Sequence, residues 1–253
     1  MPDSPVTSLH ARLAHDARPK LTWYGDDGER VELSGPVLAQ WVTKAANLLV
    51  EELDAGPGFR VLLDLPGHWR AVVWALGVWR VGACVVVAPG DLASDEGWGA
   101  AAPLPAHDEP VDAVDAVVTT SPSSFTGRRG VVAVALPALA RSFPAPLPAG
   151  AVDGAAVLGY GDALGYVPPG DLRAPALVGP GGAAMHAGLV RADGPTGRVL
   201  LDAGREPLDV VLRQVLDVLA AGGSVVLVGG SFAEQLRADD ERRGRLVATE
   251  RIT

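Results

Sequence analysis

The chain has 253 residues, 48% of them hydrophobic and 20% charged, which suffices for one large or two modest domains with true cores. A formal net charge of -9 argues against a nucleic-acid footprint and against a basic membrane patch. The single cysteine, Cys84, leaves no internal disulfide to form, and a reducing cytoplasm is the expected home. Residues 1–20 lack the continuous apolar core of a signal peptide. The most apolar window, 71–88, is interrupted by Arg80 and reads as helix plus strand rather than as a membrane span.

In chain order, residues 6–15 predict a short amphipathic helix, and 21–24 with 30–33 predict a hairpin around Gly25-Asp26-Asp27-Gly28. Ser34 is the expected N-cap of a helix to about Leu53, with Pro36 in its first turn and Val37, Trp41, Ala45, Leu48 and Leu53 along one side. The stretch 58–90, GFRVLLDLPGHWRAVVWALGVWRVGACVVVAPG, then reads as strand, turn, helix, turn, strand. Residues 60–65 are an apolar run of strand length that Pro66-Gly67 ends. Trp69, Val72, Val73, Leu76 and Trp79 recur at spacings of three and four, Gly82 stops that helix, and 84–88 are apolar on both faces, as a buried parallel strand would be. A right-handed βαβ unit follows from these three elements.

After Gly90 the chain thins into alanine, proline and acidic residues as far as Asp112. Residues 114–120 and 131–136 are strand candidates on either side of the loop SPSSFTGRRG, and 138–175 are rich in proline and glycine, as an irregular connection would be. From 197 to 230 the βαβ pattern returns. Its RVLLD, 198–202, is identical to 60–64. Pro207 and Asp209 suit a helix first turn, Leu208, Val211, Leu212, Val215 and Leu219 make an apolar face, Gly222-Gly223 end it, and 225–228 return as a strand. Residues 232–243 read as one polar terminal helix and 245–253 as a short final segment. The expected fold class is α/β, with two related βαβ-containing halves and mainly parallel sheets. The expected divisions are a first subdomain over 1–135, a connection over 136–175 and a second subdomain over 176–253.

Trp23-Tyr24, a short strand and SGPVLAQWVTKAANLLVEELDAGPGFRVLLDLPGHWRAVVWALGVWRVGACVVVAP resemble the N-terminal region of the acyl-adenylate-forming enzymes, the AMP-binding ligase family. In that family a helix "T-Y-x-E-L... A-x-x-L" precedes "G-D-R-V-A-x-x-L-P-N" and "A-x-x-A-x-x-x-A-G-A-x-x-V-P". Residues 56–60, Pro66, 80–83 and Pro89 stand in the corresponding places, and the second unit looks like the family block of strand, helix and "G-G-x-x-V-L". The matched motifs are structural. The resemblance implies the fold of the family's N-terminal domain and ATP or AMP with magnesium as candidate ligands.

The family's phosphate loop, T-S-G-[ST]-T-G-x-P-K-G, supplies backbone and hydroxyl donors and a lysine to phosphates. Two stretches compete for its place. Residues 120–130 are similar as a string and offer Ser121, Ser124, Thr126 and Gly127, but Arg129 replaces the lysine, and the stretch lies far upstream of the second unit and runs into a strand. Residues 176–190, ALVGPGGAAMHAGLV, offer Gly179, Gly181, Gly182 and His186, with His186 and Leu189 matching the family's "T-H-x-N-L" after a loop without hydroxyls or lysine. Either way the loop is degraded. The family's aromatic-Gly-x-[ST]-E motif, ribose-binding Asp and catalytic lysine all fall further along than Thr253, and Lys20 and Lys44 lie at the wrong end to substitute. No catalytic residue is assigned. Without preplaced positive charge, autonomous adenylation is not expected.

Gly179 to Ala184 also fits G-x-G-x-x-A, with Asp202 ending a strand 18 residues beyond, as in a dinucleotide-binding turn; a plain turn is the alternative. The histidines His10, His15, His68, His107 and His186 show no metal spacing, so no metal site is assigned. His10 and His15 are expected in solvent and His68 at a helix start. Ser121, Ser123 and Ser124 lack a nucleophile elbow. Trp69, Trp74 and Trp79 fit packing, and 239–243 fit a solvated face. The resulting expectation is an adenylating-enzyme-like protein that has kept the sheet and lost the catalytic apparatus, binding a nucleotide, an acyl-type molecule or a protein, with self-association plausible through an open sheet edge. Half of a split ligase, or a nucleotide-dependent enzyme using the Gly179 turn, are the alternatives.

Overall fold

The computed structural model describes residues 4–88 and 114–253. Pro89, Gly90, the acidic stretch to Asp112 and His107 lie outside these residues. The chain opens with α1 (Pro5–Ala14), capped by Ser4, whose Oγ accepts the Thr7 N–H at 3.1 Å, and buries Val6, Leu9 and Leu13 on one side. The hairpin of β1 (Pro19–Tyr24) and β2 (Arg30–Ser34) forms as expected and leads into α2 (Gly35–Leu53). The first unit is β3 (Arg60–Asp64), α3 (Trp69–Arg80) and β4 (Cys84–Val86). His68 caps α3 by accepting the Arg70 N–H on Nδ1 at 3.1 Å, and Gly82, at φ +77°, turns the chain into β4.

The short strands β5 (Ala116–Thr119), β6 (Val131–Ala133), β7 (Val152–Asp153), β8 (Pro175–Val178) and β9 (Ala184–Met185) follow. The second unit is β10 (Arg198–Asp202), α4 (Leu208–Ala220) and β11 (Ser224–Val228), and α5 (Gly230–Ala238) and α6 (Asp240–Glu250) end the described chain. The single terminal helix expected over 232–243 is thus two. Asp239 is extended (φ -136°, ψ 96°) and its carboxylate accepts the Arg242 N–H at 2.8 Å, so it caps a new helix instead of continuing the old one.

The two units enter different sheets. One sheet has the order β7-β6-β5-β3-β4-β8-β9, parallel except for β9; the other is β10-β11-β1-β2, parallel except for β2. Strand pairing is long-range: β8 pairs with β4, and β1 pairs with β11 in the register Leu21↔Val225. One apolar core joins the inner faces of both sheets, Val61, Leu63, Val85 and Val118 on one and Leu21, Trp23, Val225 and Leu227 on the other, through α1 to α4. α3 is buried on every side for this reason, including Trp69, Trp74 and Trp79, and Trp79 donates its indole N–H to the Ala176 carbonyl at 2.7 Å. The outer face of the four-stranded sheet, Val226 and Val228, is covered by Ala233 and Leu236 of α5 and Leu246 of α6.

Polar anchors tie the irregular connection to the core. Arg70 donates to the carbonyls of Leu136 (3.0 Å) and Pro137 (2.8 Å), and Asn47 donates to those of Gly161 (2.9 Å) and Ala163 (3.0 Å). His10, expected in solvent, instead lies against α2, with Nε2 3.0 Å from both the Ala39 carbonyl and the Thr43 hydroxyl. Burial holds it below its ordinary pKa, and it is neutral near pH 7. Glu250 fastens the end of α6 to the sheet, accepting from the Tyr24 hydroxyl, the Arg198 guanidinium and Arg30 Nη2.

Candidate functional site

Parallel strands of both sheets end at one cleft. Its walls come from the residues after β3 (Asp64 to Gly67), β4 (Val87, Ala88) and β5 (Thr120, Ser121), and from the turn between β10 and α4 (Ala203, Gly204, Glu206 to Leu208). The cleft has a volume near 590 Å³. Open α/β sheets place ligands at this strand end because the connecting turns diverge there and leave a crevice. The two sheets meet closely at its base, where a Cβ on Gly67 would stand 2.7 Å from the Ala203 Cβ.

Polar groups line one wall in sequence. The buried Thr119 donates its hydroxyl to Asp64 Oδ2 at 2.5 Å and accepts the Ser121 N–H at 2.8 Å. Glu206 adds a second carboxylate, and among the described residues no lysine or arginine lines the cleft. The wall is therefore acidic.

Of the candidate residues in the loop 120–130, Ser121 reaches the cleft, whereas Ser124, Thr126 and Gly127 are exposed and outside its lining. Thr126 spends its hydroxyl on the Ser123 carbonyl at 2.8 Å. The loop joins β5 to β6 in parallel through a 3₁₀ turn, Pro122–Phe125.

The glycine turn 179–182 leads from β8 into the antiparallel β9, so the helix that a dinucleotide-binding turn requires after it is absent, and His186 to Gly188 form a 3₁₀ turn instead. Asp202 ends a strand of the other sheet. The turn packs on the first turn of α4, next to the cleft-lining Pro207 and Leu208. Asp209, fully buried, accepts the Gly181 N–H on Oδ2 at 2.8 Å, and Arg213 donates to the Gly182 carbonyl at 2.7 Å. A Cβ on Gly179 would lie 2.6 Å from the Asp209 Cγ, and one on Gly181 would lie 2.7 Å from its Oδ2. The amide that would face a phosphate thus faces a carboxylate of the same chain.

His186 stands apart from the turn, because the antiparallel β9 carries the chain back to the start of β8, where the His186 N–H meets the Ala174 carbonyl at 3.1 Å. It is 4% exposed and lines a separate hollow with Thr7, Arg80 and Asp171. Burial lowers its pKa against a hydrogen bond to the Gly82 backbone, so the ring is neutral near pH 7. The Cys84 thiol, buried in β4, is pushed up to about 11 and is no nucleophile. Among the described residues, no group of three or more His, Cys, Asp or Glu is placed to hold a metal ion, and no helix is long and apolar enough to cross a membrane. Asp64, Thr119, Glu206 and Asp209 were not singled out as site residues by the sequence. The signal that finds Asp64 and Thr119 is their place at the carboxyl ends of adjacent parallel strands.

No family model matches the chain. Its fold is that of the N-terminal part of acyl-adenylate-forming ligases. It is similar to an acyl-CoA synthetase of Brucella canis, with a TM-score of 0.65 at 18% identity, covering 92% of this chain and 46% of that one. It is also similar to the N-terminal domain of FACL13 from Mycobacterium tuberculosis, with a TM-score of 0.61 at 14% identity, covering 99% of this chain and 62% of that one. The chain thus spans about half the length of the Brucella structure. In sequence it is 35% identical over 249 residues to a TIGR03089 family protein of Mycobacterium tuberculosis, covering 93% of this chain and 90% of the relative. At that identity and coverage, the chain belongs to the TIGR03089 family.

Proposed function

We propose that this protein is a small-molecule-binding member of the adenylate-ligase fold that does not form adenylates on its own. Its cleft takes an uncharged nucleoside-like or acyl molecule. One observation carries the reading: carboxylates stand where polyphosphate chemistry needs positive charge. Asp64 and Glu206 line the cleft, Asp209 takes the Gly181 amide, and no lysine or arginine is among the described lining residues. A carboxylate about 6 Å from a phosphate charge costs about 3 kcal/mol at an effective dielectric constant of about 20, and a triphosphate multiplies that cost.

Calorimetric titration with adenosine, AMP and ATP–magnesium tests this order. Affinity is expected to fall with each phosphate added, ATP–magnesium is expected to give no saturable heat at millimolar concentration, and acid-dependent pyrophosphate exchange is expected to stay at baseline. Thr120→Trp, which fills the cleft, should remove adenosine binding. ATP binding more tightly than adenosine would overturn the reading, and no binding by any of the three would leave a protein partner as the ligand.

A second reading, half of a split ligase, is favoured by the chain matching 46% of the Brucella ligase. It requires a stable complex with a second chain that restores ATP-dependent acid activation. Purification of the chain alone from its native lysate counts against it.

A further inference from the structure

We propose that a second hollow, on the outer face of the four-stranded sheet, binds the phosphate group of a small, largely apolar phosphate monoester. It lies across the β10–α4 turn from the cleft: Gly204 and Glu206 of that turn line the cleft, while Asp202 and Arg205 line the hollow. The hollow has a volume near 200 Å³, the size of one small molecule.

Three arginines converge on it, from three different elements. Arg205 comes from the turn, Arg237 from α5 and Arg243 from α6. Arg237 is paired with Asp202 at 2.7 Å. Neither Arg205 nor Arg243 has a side-chain hydrogen bond or ion pair among the described residues. Three guanidinium groups against one carboxylate give the lining itself a net charge of +2 on a chain whose formal charge is -9. Unpaired arginines are ordinary on a surface, but three gathered round one hollow, beside the carboxyl ends of two parallel strands, are not accounted for by solvation alone.

The charge and the floor together select the ligand. A phosphate monoester carries close to two negative charges near pH 7, matching the excess, and its oxygens accept the forked donors of arginine. Beneath the arginines the floor is apolar, made of Leu200 from β10, Val228 from β11 and Leu236 from α5, the last two almost fully buried. A bare inorganic anion leaves the half-buried Leu200, the open part of that floor, uncovered. An apolar body of the size of a phenyl ring covers it.

The test is calorimetric titration of the full chain with phenyl phosphate, inorganic phosphate and benzoate. Phenyl phosphate is expected to bind saturably and most tightly, and to weaken as salt is raised. Arg205→Ala and Arg243→Ala should each weaken it about tenfold, the worth of a hydrogen bond to a charged group. Neither side chain has a hydrogen-bond or ion-pair partner among the described residues, so the variants should keep the wild-type thermal midpoint. Thr120→Trp, which blocks the cleft, should leave phenyl phosphate binding unchanged. Failure to bind phenyl phosphate, equal binding of inorganic phosphate, equal binding by the arginine variants, or loss of binding in Thr120→Trp alone would each overturn the proposal. Because the two hollows have separate lining residues, failure here leaves the reading of the cleft standing.

Discussion

Replacing Glu250 by alanine should loosen the C-terminal helix from the four-stranded sheet. The carboxylate is 8% exposed and accepts hydrogen bonds from Tyr24, Arg198 and Arg30, while the side chains of Arg198 and Arg30 are 15% and 42% exposed. Breaking a fully buried pair by removing one partner costs about 3–5 kcal/mol, and losing a surface pair costs about 0–1 kcal/mol. Arg198 lies near the first limit and Arg30 near the second, which places the loss at about 2–3 kcal/mol. For a chain of this size about 1 kcal/mol moves the melting temperature by roughly 2–4 °C, so Glu250→Ala should lower it by about 5–10 °C. The sign with pH follows from the carboxyl itself: burial pushes its pKa up, but the bonds from Tyr24, Arg198 and Arg30 outweigh that and hold it below the usual range. Its contribution is therefore complete above the unfolded carboxyl pKa and is lost as pH falls through the lower folded value. Calorimetric melts of both proteins from neutral pH into acid should show a gap that closes in acid. A gap under about 1 °C at neutral pH, or one that widens in acid, would refute the account of how α6 is held.

Three further outcomes follow from buried groups. His68 is held to about 3 by burial and by Arg70, so the unfolded chain takes up a proton that the folded one refuses; stability should decline as pH falls below about 6.5, and His68→Asn, which keeps a capping oxygen, should flatten that decline in pH-dependent melts. Trp79→Phe should cost about 1–3 kcal/mol in urea unfolding, because the buried Ala176 carbonyl loses its donor. Gly181→Ala should cost about 1–3 kcal/mol, since the new Cβ would stand 2.7 Å from Asp209 Oδ2 and 2.8 Å from Val210 Cγ2; an unchanged thermal midpoint would mean that the turn sits off α4.

Local elements were legible where punctuation and periodicity agree. Pro66-Gly67 and Gly82 bracket a run of period 3.6, and α3 lies between them; Ser34 and Pro36 likewise open α2. What the sequence could not state was the allocation of strands to sheets. The two RVLLD segments are identical, yet β3 lies within the seven-stranded sheet and β10 on the edge of the other, because their neighbours are set by pairings such as Leu21↔Val225 that span most of the chain. β7 and β9, with two residues each, are too short to show any period. Polar anchors were also hidden: His10, Asn47 and Arg70 carry no apolar signal, and only the carbonyls they meet reveal why they are inside.

The candidate site was legible in its glycines and obscure in its charge. Gly179 and Gly181 mark a backbone that something approaches too closely for a Cβ, and a phosphate loop and a dinucleotide turn would each leave that mark. Here the approaching group is the first turn of α4, whose Asp209 sits 28 residues beyond Gly181 and reaches its amide. The same glycine spacing therefore serves packing of an anionic side chain that, in the resemblance, would serve packing of an anionic ligand. Sequence spacing constrains how near a partner comes, whereas the residues that face the turn decide which partner it is. With Asp209 on the turn and Asp64 and Glu206 in the cleft, the strand ends keep the shape of a crevice and present carboxylates to it and to the turn beside it.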